Sequence, residues 1–148
     1  MLSTQKSLAD LITEAQITLT AERVDRNPNM PDSANMDHWK VALQRRERTG
    51  KRYNARKDGT AIVARMTVYF SMGYGHHGAE PEVQDVLDCL LSDSDVLDRE
   101  FEDWASDLGY DSDSRKAERI YKACLKSSGK LKAFLGEELF EQMRYAER

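Results

Sequence analysis

AIVARMTVYFSMGYG, residues 61–75, decides the fold of this chain. On one side of this stretch, apolar residues recur at every second position: Ile62, Ala64, Met66, Val68, Phe70 and Met72. The opposite side is mostly polar, with Arg65, Thr67 and Tyr69 at its middle. This alternation, rich in β-branched and aromatic residues, predicts a strand with one buried face. The strand is expected to end at the glycines Gly73 and Gly75.

Two further strands are predicted before this stretch. Residues 16–24 and residues 38–46 both alternate apolar with polar side chains, and a turn signal at Asp58-Gly59 leads into the third strand. Residues 25–37 hold two prolines and predict a long loop. We therefore interpret residues 16–72 as an antiparallel meander of three to four strands.

Helical periodicity flanks the predicted sheet. Residues 1–15 predict a short amphipathic helix, and residues 80–148 predict three to four helices. Asp113 or Ser114 is expected to cap the longest helix, Gly129 to break it, and Gly136, with a left-handed backbone, to end it. The expected core joins Met66, Val68 and Phe70 to the helical residues Val86, Leu87, Leu90, Trp104 and Ile120.

The order of the elements, strands first and then helices, predicts one α+β domain over residues 1–148, with the helices packed on one face of the sheet. The chain has 148 residues, a net charge of −4, and no apolar run of transmembrane length. Cys89 and Cys124 are expected to be buried free thiols. These features predict a cytoplasmic protein with no membrane partner.

Charge is strongly segregated along the chain. The acidic segment, residues 80–113, holds thirteen acidic residues and a single basic one, for a net charge of −12. The basic segment, residues 40–65, holds nine basic residues against two acidic ones, for a net charge of +7. Such runs are ordinary for solvated faces, but their separation also fits binding steered by complementary potentials.

Each segment therefore predicts a candidate binding surface. The acidic segment could imitate a phosphate backbone and bind a protein, through Glu82, Asp85, Asp88, Asp93, Asp95, Asp98, Asp103 and Asp107. The basic segment could bind nucleic acid, with a tyrosine as a stacking ring, through Arg45, Arg46, Arg48, Lys51, Arg52, Tyr53, Arg56 and Lys57.

Motifs for catalysis and for cofactors are weak. GYGHHG, residues 73–78, has the spacing of a phosphate-binding loop but no βαβ context, and nearby Glu80 and Glu82 would oppose a phosphate. His38, His76, His77, Cys89 and Cys124 lack the spacing of a zinc site. Residues 111–114 (DSDS) fit helix capping better than calcium binding. The sequence therefore predicts no catalytic residue, no metal and no cofactor.

Four segments carry a family resemblance: RVDRNPNMP (23–31), YFSMG (69–73), VLDCL (86–90) and WASDLGYDSDSRKAE (104–118). In this order they resemble a family of short uncharacterised proteins carried by bacteriophages and other mobile elements. The resemblance spans residues 17–145, brings no active site, and leaves residues 45–60 longer than in those relatives. It implies a non-enzymatic protein that binds a host or phage protein, such as a host defence nuclease, in the cytoplasm of the host cell.

Overall fold

Three antiparallel strands form one sheet in the order β1–β2–β3. The structure, a computed structural model, describes residues 6–29, 36–48, 59–73 and 79–148. Its strands are β1 (Ile17–Val24), β2 (Asp37–Arg48) and β3 (Thr60–Met72). The predicted α+β meander is confirmed, with three strands in the described residues. Residues 49–58, between β2 and β3, lie outside those ranges.

Five α-helices and a 3₁₀ helix account for the remaining regular structure of the described residues. They are α1 (Leu8–Glu14), α2 (Val83–Asp93), the 3₁₀ helix (Ser94–Asp98), α3 (Phe101–Asp107), α4 (Arg115–Leu135) and α5 (Glu137–Arg144). The 3₁₀ helix follows α2 directly. Four α-helices therefore follow the sheet, within the predicted number.

The alternation along the strands sends one set of side chains into a shared core. Leu19, Leu43 and Met66 lie opposite one another across the three strands, and Leu43 is fully buried. Val63, on the opposite side of β3, is 47% exposed. The period-two pattern of the deciding stretch is therefore confirmed.

Helices α1, α2, α5 and the C-terminal half of α4 pack against this face. Phe140 of α5, Leu8 of α1 and Leu87 of α2 are fully buried there, together with Val41 of the central strand. We call this cluster the sheet core. The backbone N–H of Leu8 donates to the carbonyl of Glu147 at 2.7 Å, so the two ends of the described chain meet beside it.

A second group of buried side chains corrects one sequence expectation. Trp104 and Ile120 do not belong to the sheet core; they join α3 to the N-terminal half of α4 in a separate group that we call the aromatic cluster. The Trp104 ring lies edge-on to Tyr121, with ring centroids 5.3 Å apart. The two groups can be separate because α4 is long: its N-terminal half packs on α3, and its C-terminal half packs in the sheet core.

Glycines and caps set the bounds of α4. Ser114 Oγ accepts from the backbone N–H of Ala117 at 3.1 Å, which confirms the predicted cap. Gly129 does not break the helix, since α4 runs through it and is anchored by burial at both halves. Gly136 ends α4 with φ of 84° and ψ of 153°, so its positive φ matches the expectation. That combination of angles is essentially restricted to glycine.

Candidate functional site

Two of the predicted acidic binding residues also hold the start of α2. Asp85 Oδ2 accepts from the backbone N–H of Glu82 at 3.2 Å, and the Glu82 side chain completes the capping box. Such a box satisfies N–H groups that the first helical turn leaves without partners. Both side chains are exposed, so changing either residue would alter the helix end as well as the surface.

Arginines from the C-terminal residues reach the acidic segment. Arg144 pairs with Asp98, and Arg148 Nε donates to Asp88 Oδ1 at 2.9 Å. These contacts join residues that are far apart in sequence. They offset part of the self-repulsion that a net charge of −12 in one segment would produce.

Arg99, the single basic residue of the acidic segment, lies among several oxygen acceptors. Its guanidinium pairs with Asp107, lies 3.5 Å from Asp95 Oδ2, and donates to the backbone carbonyl of Asp103 at 3.2 Å. The carbonyl of Arg99 in turn accepts from the hydroxyl of Tyr121 at 2.8 Å. Arg99 therefore fixes α3 against the 3₁₀ helix and α4.

Asp93 and the two cysteines lie where α2 meets α4. Burial raises the pKa of the Asp93 carboxyl to about 6. Cys89 is exposed, contrary to the prediction, because α2 turns Val86, Leu87 and Leu90 inward and leaves position 89 outside. The pKa of the Cys89 thiol is raised to about 11, mainly because the surrounding protein removes water from the sulfur. The negative charges of Asp93 and Asp88 add to this effect. Such a thiol is protonated at neutral pH and is a poor nucleophile.

The other exposed carboxylates of α3 and the following turn make no ion pair with the described residues. They are Glu100, Glu102, Asp103, Asp111 and Asp113. Leu108 belongs to the same segment and is 58% exposed. Its position just past the last turn of α3 carries it out of the aromatic cluster. We call residues 100–113 the acidic tip.

The basic segment is described only in part. Arg45, with 14% of its side chain exposed, donates from Nε to the carbonyl of Phe134 at 2.9 Å and pairs with Glu47 at 2.5 Å. Its guanidinium therefore caps the end of α4. Arg46 is half-buried and Arg48 is exposed. The remaining predicted residues, which lie outside the described ranges, are Lys51, Arg52, Tyr53, Arg56 and Lys57.

A cleft of about 650 Å³ lies beside these arginines, between the end of α1, the end of β2 and the α4–α5 junction. Its charged lining consists of Arg45, Arg46 and Arg48 together with Glu14, Glu47, Glu137 and Glu138. Because carboxylates and guanidinium groups share the same walls, the cleft has no strong field of either sign. It is a poor site for a phosphate.

His38, one of the histidines considered as a metal ligand, belongs to a polar network at one end of the sheet. Its Nδ1 lies 2.7 Å from Ser71 Oγ, which accepts from the side-chain N–H of Asn27 at 3.0 Å. Asn27 is 3% exposed, so the network fixes the residues after β1 against the sheet. His76 and His77 lie outside the described residues. Within the described ranges, no three His, Cys, Asp or Glu side chains gather as a possible metal site.

The sheet face opposite the helices, predicted from the sequence to be mostly polar, carries a surface that was not predicted as a binding site. Lys40 is exposed although it lies on the central strand, and Arg65 and Thr67 of β3 are exposed beside it. Tyr69, on the side predicted to be mostly polar, is 36% exposed. The sequence signal for this surface is the set of polar side chains at alternate positions of residues 61–75. We call this surface the open face.

Comparison of the chain with protein-family models, with curated proteins and with solved structures found no match. The resemblance to phage proteins therefore stays a prediction, and the function has to be argued from the surfaces themselves. Of the helices in the described part of the chain, none combines the length and the apolarity needed to cross a membrane.

Proposed function

We propose that this protein acts without catalysis, by binding another protein through the acidic tip. The observation that carries the proposal is the set of exposed carboxylates that make no ion pair within the described residues, in the same short segment as an exposed leucine, Leu108. An apolar side chain with a polar, charged rim is a common arrangement in protein interfaces. The apolar centre would supply contact area, and the rim would select a partner of opposite charge.

The acidic tip is held in one shape before any partner arrives. Tyr110 stacks on Trp104 with ring centroids 6.3 Å apart, and its backbone N–H donates to the carbonyl of Ala105 at 2.8 Å. Arg99 fixes the other side of α3 through Asp107. A surface that is already ordered loses less conformational entropy on binding, which favours affinity.

The partner that fits this surface is a protein with a basic face. Proteins that handle nucleic acids carry such faces, because they bind phosphate backbones. The resemblance to phage proteins supports a host or phage protein of this kind, including a component of a host defence system. Attraction between opposite charges would speed the encounter and make it sensitive to salt.

Binding of nucleic acid by the basic segment is the alternative function. Arg48 is exposed at the end of β2 and favours it. Arg45 is already engaged with Phe134 and Glu47, and the neighbouring cleft carries four glutamates. All carboxylates of the acidic tip except that of Asp107 make no ion pair with the described residues, so protein binding is the better supported of the two functions.

The test reverses charge at two first-turn carboxylates of α3, Glu102→Lys with Asp103→Lys. The matched control reverses the two first-turn carboxylates of α5, Glu137→Lys with Glu138→Lys, and so changes the net charge equally. Partners captured by the wild-type protein from a bacterial lysate are identified, and their association rates are then measured against salt. Asp85 and Asp88 are left unchanged, because a capping box engages Asp85 and an ion pair with Arg148 engages Asp88.

We expect the α3 variant to slow association at least tenfold at low salt and to flatten the salt dependence, while the α5 variant behaves as the wild type does. Circular dichroism establishes that both variants fold. Equal rates for the wild type and the α3 variant at low salt would rule out the acidic tip as the binding surface.

A further inference from the structure

The open face is a flat, polar surface with one aromatic ring. One cross-strand row consists of Glu22, Lys40 and Tyr69, and another places Arg65 beside Gln44. Between these two rows lie Thr20, Ala42 and Thr67, which are small residues. Small side chains in the centre leave room for a planar group to approach the sheet.

The helices leave this side of the sheet uncovered within the described residues. Lys40 demonstrates this best, because it lies on the central strand, where a second layer would bury it, and yet is exposed. Val63 and Tyr69 are the large hydrophobic side chains exposed on the described strands. Such a small apolar area is insufficient for a stable protein interface, which requires much more.

Charge on the open face favours a polyanion. Among the charged residues of the two rows, Lys40 and Arg65 oppose the single carboxylate Glu22. An aromatic ring beside a lysine combines the two contacts that a nucleic-acid strand offers, a base to stack and a phosphate to neutralise. Residues directly opposite in an antiparallel pair have Cβ atoms about 5 Å apart, so Lys40 lies within reach of a phosphate next to a base on Tyr69.

We propose that the open face binds single-stranded nucleic acid. Tyr69 stacks on one base, Lys40 contacts the adjoining phosphate, and Arg65 contacts a phosphate further along the strand. Arg65 and Tyr69 are four residues apart on β3, or about 13 Å at the rise of a strand, so a few nucleotides span them. A duplex does not fit this arrangement, because its bases are stacked on one another and cannot reach Tyr69.

The experiment measures fluorescence anisotropy of labelled 12-nucleotide oligo(dT) and oligo(U), and of a 12-base-pair duplex, with the full chain at 50 and 200 mM salt. We expect both single strands to bind more tightly than the duplex, and the two arms separate DNA from RNA as the preferred strand. Tyr69→Ala should weaken binding about tenfold, and Tyr69→Phe should retain it, because the ring supplies the stacking. Tyr145→Ala, which removes an exposed tyrosine on the helical side, is the control.

Charge gives an independent test that leaves Tyr69 in place. Lys40→Glu with Arg65→Glu should weaken binding at least tenfold and lower the salt slope by about 1.4, as expected for two lost phosphate contacts on a single strand. Arg119→Glu with Lys126→Glu, two exposed positions on α4, carries the same charge change and should bind as the wild type does. Glu22→Gln removes the opposing carboxylate and should tighten binding severalfold.

Each outcome bears on the proposal. Loss of binding in the open-face variants, with the control variants unaffected, would support it. Absence of single-strand binding at 50 mM salt would overturn it, and so would tighter binding of the duplex. Equal weakening by the open-face and α4 charge variants would also overturn it, because attraction to the overall charge would then account for the binding. Circular dichroism of each variant excludes loss of fold as the cause.

Discussion

The sheet core and the aromatic cluster are built in different ways. In the sheet core, side chains from strands and helices such as Val41, Leu43 and Phe140 are fully buried. In the aromatic cluster, the rings other than Trp104 are half-buried, and Arg99 adds polar contacts around them. Since buried apolar area supplies most of the stability, the sheet core should unfold with the whole domain, and the aromatic cluster should open first.

The two regions also hold different candidate binding surfaces. The aromatic cluster carries the acidic tip, and the sheet carries the open face on the side away from its core. α4 belongs to both regions: its N-terminal half packs on α3, and its C-terminal half enters the sheet core. The two candidate binding surfaces are therefore held by separate hydrophobic groups that share one helix.

The largest effect should come from deleting one large ring in each region. We expect Phe140→Ala and Trp104→Ala each to lower the free energy of unfolding by about 3–5 kcal/mol, but with different patterns of hydrogen exchange. Phe140→Ala should speed exchange in the strands, which exchange by global unfolding, and should leave α3, which opens on its own, nearly unchanged. Trp104→Ala should speed exchange in α3 and in the strands alike, because it destabilises the native state from which both the local and the global opening start.

Native-state hydrogen exchange measures this difference, and Tyr145→Ala, at a side chain that is 65% exposed, is the control with little expected effect. If Phe140→Ala accelerated exchange in α3 as much as in β2, the two regions would be one cooperative unit. The prediction that the sheet core and the aromatic cluster unfold separately would then be wrong.

Much of this organisation follows from local patterns in the sequence. Alternation predicted the buried face of β3, and helical spacing predicted the stripe of Val86, Leu87 and Leu90, because both periods are fixed by backbone geometry. The cap at Ser114 and the positive φ at Gly136 were also predicted, since each depends on a single residue type.

Contacts between distant residues could not be predicted in the same way. An apolar stripe shows that Trp104 is buried but not which element buries it, so its separation from the sheet core was missed. The pairs of Arg144 with Asp98 and Arg148 with Asp88 depend on where the C-terminal residues pack. The uncovered side of the sheet was predicted, but not as a binding surface, because a polar face turned to solvent does not by itself indicate a ligand.

The next prediction concerns Asp93, which lies where α2 meets α4, and its expected effect on the free energy of unfolding is intermediate. Its pKa of about 6 in the folded protein lies above the ordinary aspartate value of 3.8, so the folded state holds this proton more tightly than the unfolded state does. The stability it contributes is therefore present below about pH 4 and is lost as the pH rises through 6. The loss should amount to about 3 kcal/mol.

Asp93→Asn should remove this part of the pH dependence and raise the free energy of unfolding at pH 7 relative to the wild type. Urea unfolding at pH 4, 5, 6 and 7 measures it, and the exposed Asp111→Asn, with the same charge change, is the control. If the free energies of unfolding of Asp93→Asn and of the wild type differed by the same amount at every pH from 4 to 7, the Asp93 carboxyl would not be buried between α2 and α4.

The smallest effects concern the glycines of α4, and they have opposite signs. Gly136 has φ of 84° and ψ of 153°, so Gly136→Ala should lower the free energy of unfolding by about 1–3 kcal/mol through backbone strain. Gly129 lies inside α4, between the half in the aromatic cluster and the half in the sheet core, and a Cβ there would meet no atom within 4 Å. Gly129→Ala should therefore raise the free energy of unfolding by about 0.5–1 kcal/mol.

Gly129→Ala also bears directly on the independence of the two regions, because a stiffer α4 should couple them. We expect exchange in α3 to slow toward the global rate in this variant, with the buried residues of both regions unchanged. Gly136→Ala serves as its control, since it strains the end of α4 within the sheet core and should leave the difference in exchange between α3 and β2 in place. Gly129→Ala could instead raise the free energy of unfolding without slowing exchange in α3. In that case α4 would not be the element that couples the stability of the aromatic cluster to that of the sheet core.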